Sequence, residues 1–171
     1  MLNKRFLIAL ILLVPLMMSG QKGQLKKLNA LEDELMAEID AHSGHQRAQA
    51  RELAEKLQKK QLKFAAKFPD HQDTPEILYK AGRLNEKILN RSANAHMIYE
   101  RIIENYPDHA QTPFIFLVKG GLYQDQGDPG AAEACYLALI EAYPGSKAAE
   151  DADALLKLLH LSDEEIIEQF E

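Results

Sequence analysis

At 171 residues the chain is long enough for one domain and a tail, and 46% hydrophobic content with 9 glycines and no tryptophan suits a helical protein. The net charge of −6 is unevenly spread: residues 22–67 carry ten Lys/Arg against seven Asp/Glu, residues 68–171 eight against nineteen. The acidic C-terminal part disfavours nucleic acid, which needs a basic surface, and the single Cys135 excludes an intramolecular disulfide or a multi-cysteine zinc site.

Residues 1–20 open with Lys4 and Arg5, continue through an uncharged run from Phe6 to Met18, and close on Ser19 and Gly20, a secretory signal pattern. Thirteen residues fall short of the roughly 20 that span a bilayer as a helix. Gln21 stands where a bacterial lipoprotein would need cysteine. The expectation is an exported chain, periplasmic or outer-membrane associated. The alternative is a short inner-membrane anchor at residues 6–18, with membrane contact only through residues 1–20 if these are not cleaved.

From Gln24 to Ala41, Leu25, Leu28, Leu31, Leu35 and Ile39 trace one helical face. Ser43-Gly44 interrupts it, and a second helix follows from Gln46 to Lys67, rich in Lys, Gln and Ala. Residues 21–68 are thus a helical pair, either a degenerate first hairpin or a short coiled coil for oligomerisation. The heptad of Leu28, Leu31 and Leu35 fails at Glu38 and His42, which favours the hairpin.

Thr112 to Ser146 reads as a complete helical hairpin. Thr112 and Pro113 supply an N-cap and a first-turn proline, Gly127-Asp128-Pro129 stops one helix and starts another, and Pro144-Gly145 closes the unit. Ala132, Tyr136, Leu139, Ile140 and Tyr143 of the second helix form one stripe at offsets 0, 4, 7, 8 and 11. The same offsets recur in Ala95, Tyr99, Ile102, Ile103 and Tyr106 of the unit from Thr74 to Asp108, where Gly82 matches Gly120 and one extra residue enters the turn near Asn90. A third stripe is Leu57, Gln61, Phe64, Ala65 and Phe68. The exits FPDH, YPDH and YPGS are spaced by 38 and then 37 residues.

These residues resemble the tetratricopeptide repeat family. Counting Pro113 as the first position of a repeat, the family's glycine, aromatic, alanine, aromatic and proline sites fall on Gly120, Tyr123, Ala132, Tyr136 and Pro144. Phe116, Lys119 and Leu139 depart from the usual Trp, Leu and small residue, and Asn85 replaces an aromatic in the earlier copy. The proline-ended exits look like the subgroup found in bacterial envelope proteins, among them the Tol-Pal-associated periplasmic coordinator and the lipoprotein of the β-barrel assembly machinery.

The resemblance implies an all-α fold, a right-handed superhelix of stacked antiparallel helix pairs, over residues 69–160. It also implies a non-catalytic module that binds a partner protein or peptide on its concave face and takes no cofactor. By the family's geometry the first helices line that face. Glu76, Tyr79, Arg83 and Glu86 come from one repeat, and Phe114, Leu117, Gly121 and Gln124 from the next. The rival readings are a structural oligomer assembled through residues 24–67 and a membrane-anchored adaptor.

After Ser146, Ala152, Leu155, Leu156 and Leu159 mark a capping helix, and Ser162 with Glu165 opens a short C-terminal helix within residues 161–171. No catalytic constellation is present. His42 and His45 are three apart but separated by Gly44 and lack a third ligand, so no metal is expected. His71 and His109 occupy equivalent exit loops, where they read as loop hydrogen bonding. Cys135, inside a packed helix, reads as a small buried hydrophobe.

Overall fold

A computed structural model of the chain describes residues 4–40 and 46–161. Among them are seven α-helices and no strand: α1 (Lys4–Asp40), α2 (Gln46–Lys67), α3 (Thr74–Lys87), α4 (Ser92–Asn105), α5 (Thr112–Asp125), α6 (Pro129–Ala142) and α7 (Lys147–Leu159). The short C-terminal helix expected from Ser162 and the His42/His45 pair lie outside the described residues. The chain divides into two compact units, Met1–Ile77 and Leu78–Glu171, with the division falling inside α3.

In the first unit α1 and α2 pack against each other. The expected helix from Gln24 is longer than its leucine stripe suggested. It begins at Lys4 and passes through Gly20 and Gly23 unbroken. Residues 24–28 of α1 line one groove with residues 60–64 of α2, so the two run antiparallel. Leu28, Leu31, Leu35, Ala54, Leu57, Phe64, Ala65 and Phe68 are all buried. Ile39 is 42% exposed, so the α1 stripe ends at Leu35. Gln61 takes the place in the stripe held elsewhere by tyrosine. It is buried, and its Oε1 has no hydrogen-bond partner.

The second unit repeats one device. On α4, Ala95, Tyr99 and Ile102 are buried, and on α6, Ala132, Tyr136 and Leu139, as the offsets require. Of the remaining stripe members, Ile103, Ile140 and Tyr143 sit partly buried against the core of α5–α7, and Tyr106 is half-buried. Each buried tyrosine packs its ring against a glycine of the preceding helix. A Cβ on Gly82 would stand 2.3 Å from Tyr99 Cε1, and one on Gly120 would stand 2.3 Å from Tyr136 Cε1. Tyr136 reaches Gln124 late in α5 while Tyr143 meets Phe116 early in it, so α5 and α6 are antiparallel. α5 also packs on α4 and α7, and Phe116, Ala132, Tyr136, Leu139 and Ala152 form one core.

The turns follow local chemistry. Gly127 has φ 73°, and the Asp128 carboxylate accepts the Ala131 N–H at 3.0 Å to cap α6. In the α3–α4 turn, one residue longer, Asn90 adopts φ 54°, a left-handed conformation that asparagine tolerates better than most residues. Thr112 departs from expectation. Its hydroxyl does not cap α5 but donates back to the Tyr106 carbonyl at 2.6 Å, and Gln111 holds the cap position without a side-chain bond. Thr74 makes the same 2.6 Å bond to Phe68. A fully buried hydroxyl needs a partner, and it shares the helix-end carbonyl that also accepts the backbone N–H of His71 or His109.

Two adjacent glycines therefore have opposite expected responses. Gly120→Ala forces a methyl into the Tyr136 ring and lowers stability by about 1–3 kcal/mol. Gly121→Ala meets nothing within 4 Å and raises stability by up to about 1 kcal/mol through helix propensity. Chemical denaturation of both variants checks the pair.

Candidate partner-binding face

Helices α3 and α5 bring part of the expected face together. Tyr79 and Phe114 meet edge to face, ring centroids 6.1 Å apart, and Tyr79 also leans on Tyr99 at 6.3 Å. Phe114 remains 49% exposed. Leu117 sits partly buried on the core of α5–α7. Gly121 leaves open space where a side chain would stand. Glu76 is exposed in the first turn of α3, within the first unit.

The polar members have internal work. Tyr99 donates its hydroxyl to Glu86 Oε2 at 2.8 Å, and Tyr136 donates to Gln124 Oε1 at 2.7 Å. Arg83 donates to the same Glu86 carboxylate at 3.2 Å, leaving the Glu86 side chain 7% exposed. Glu86 and Gln124 are equivalent residues four positions after the two glycines, so each orients the hydroxyl of the ring that its glycine admits. Burial, then the hydrogen bond to Glu86, pushes the Tyr99 phenol far above its ordinary range.

Sequence reasoning missed a polar seam between the two hairpins. Lys119 of α5 pairs with Glu100 of α4. Burial opposes the charge on Lys119, but the Glu100 hydrogen bond and charge outweigh it and raise the pKa. Beside it His96 stacks on Tyr123 with centroids 3.9 Å apart and faces the Gln126 amide. The only visible signal was Lys119 in a family site that is usually leucine. Tyr143 adds a further tie, donating to the Pro107 carbonyl at 2.8 Å.

The remaining candidates have structural settings. His71 and His109 each accept a backbone N–H two residues on, from Asp73 at 3.2 Å and Gln111 at 3.4 Å, bracing the exit loops. Cys135 is buried, and burial pushes its thiol pKa up despite nearby Lys119, which disfavours the nucleophilic thiolate. Among the described residues no group of three His, Cys, Asp or Glu could hold a metal ion.

Burial also lowers the pKa of His96 from 6.5, against the opposing Gln126 hydrogen bond. The unfolded chain then binds a proton that the folded one resists, so stability declines as the pH falls below 6.5. Replacing His96 by Phe keeps an aromatic ring opposite Tyr123 and removes the titration. Melting temperatures measured from about pH 7 to about pH 5 should fall less steeply in the variant than in the parent.

Residues 76–109, spanning nearly all of α3, the whole of α4 and the exit loop through His109, match the tetratricopeptide repeat family. No curated protein matches the chain. The family match covers the first of two hairpins that share the glycine, tyrosine and hydroxyl-acceptor arrangement, and it supports a protein-interaction repeat as the class of this unit.

Proposed function

We propose that the chain is a non-catalytic interaction protein of the bacterial cell envelope, and that it captures an extended or helical segment of a partner protein on the α3–α5 face. The observation that carries this reading is the exposed Phe114 ring set edge-on against Tyr79, beside partly buried Leu117. An aromatic anchor packed against a second ring is the kind of group on which interfaces concentrate their binding energy. Arg83 edges the patch, while Glu86 and Gln124 serve it indirectly by holding the tyrosines beneath.

Export is supported by the signal-like residues 1–20 and by the proline-ended exits shared with envelope repeats. Burial of Leu28, Leu31 and Leu35 within one chain supports a monomeric pair of helices over an oligomer built on those leucines. Intact-mass analysis of the chain recovered from its native envelope decides the cleavage of residues 1–20.

Immobilised chain should recover a partner from solubilised envelope proteins. Phe114→Ala should weaken that capture by about 30-fold, the loss of one hot-spot aromatic, while the helical circular dichroism signal stays unchanged. Equal recovery by Phe114→Ala would remove the α3–α5 face from the account.

A further inference from the structure

The α1–α2 pair carries its charge in two separate blocks. Residues 20–31 hold Lys22, Lys26 and Lys27, residues 56–69 hold five more lysines, and neither stretch contains a carboxylate. Every carboxylate between residues 20 and 67 falls between positions 32 and 55. Antiparallel pairing sets the two lysine blocks side by side. Lys27 and Leu28 of α1 line one open groove with Lys60, Lys63 and Phe64 of α2. Lys22 and Lys67 line a second opening at the end of the pair, where Asp70 and Asp73 of the exit loop adjoin them.

This arrangement is unfavourable on its own. Lys56, Lys60, Lys63 and Lys67 recur at helical spacings of four, three and four, which stacks like charges on one face of α2. All are exposed, and among the described residues Lys22, Lys27, Lys60 and Lys63 make no ion pair. An anion laid across the block would relieve the repulsion.

The lysine end is also the end from which α1 continues into the uncharged run Phe6–Met18. At 1.5 Å per residue that run is about 20 Å long, short of the ~30 Å hydrocarbon core of a bilayer. One short apolar element holds a bilayer weakly, and firm attachment takes a second signal such as a polybasic patch.

We propose that the lysine end of the α1–α2 pair docks on an anionic phospholipid surface. The lysine block matches the sign of the headgroups and lies next to the apolar run. This contact is independent of the α3–α5 face.

Flotation of the full chain with vesicles tests it. Vesicles of phosphatidylcholine containing phosphatidylglycerol should carry the chain upward, vesicles of phosphatidylcholine alone should carry far less, and added salt should release it. The triple variant Lys27→Gln, Lys60→Gln, Lys63→Gln should bind the anionic vesicles on the order of 100-fold more weakly with unchanged helicity, and Lys157→Gln in the other unit should behave as the parent. Equal binding to both vesicle types, or a triple variant that binds as the parent does, would overturn the proposal in favour of attachment by the apolar run alone. Retention by RNA or polyglutamate without vesicle binding would overturn it in favour of a different polyanion, and failure to bind any of these probes would overturn it outright.

Discussion

The second unit depends on the close approach of a tyrosine ring to a glycine backbone. With no Cβ on Gly82 or Gly120, the rings of Tyr99 and Tyr136 lie where a methyl group would otherwise stand. Helix separation, ring orientation and hydroxyl direction are then linked. A ring packed on the glycine brings its hydroxyl to the residue four positions later on the neighbouring helix. That residue is Glu86 in one hairpin and Gln124 in the other, and each accepts the bond. A buried phenol needs such an acceptor. Fit and polar satisfaction thus reinforce each other, as a sequence that specifies one packing requires.

From this constraint follows a division of labour on α3 and α5. Residues at one phase of each helix are committed to the tyrosines, while Tyr79, Phe114 and Leu117, a few positions away, form an apolar strip that remains partly open. The polar seam of Lys119–Glu100 and His96–Tyr123 holds the two hairpins in register without using the strip. The strip residues are the positions that the tyrosine packing leaves over.

Much of this was legible in the residues because the decisive signals are local and repeated. Five offsets recurring at spacings of 38 and 37 name Tyr99 and Tyr136 as core, and both are fully buried. Gly127 and Asp128 act at their own turn, so their roles were readable from the dipeptide. Partners across helices were not. Glu86 and Gln124 look like surface residues until a tyrosine from another helix reaches them, and Thr112 looks like a cap until its hydroxyl finds Tyr106. Local pattern reports which face is buried. It does not report which distant atom answers a side chain's hydrogen bond. The continuation of α1 back to Lys4 was likewise not read, because the leucine stripe that marked the helix starts only at Leu25.

A double-mutant cycle on Gly120 and Tyr136 tests the glycine–tyrosine contact most directly. If the ring rests on the glycine, the penalty of an added methyl largely vanishes once the ring is gone. The stabilities of Gly120→Ala, Tyr136→Ala and the double variant should then depart from additivity by at least about 1 kcal/mol, with the double variant more stable than the sum predicts. Additivity within about 0.3–0.5 kcal/mol would contradict the account, because the two residues would then contribute to stability independently.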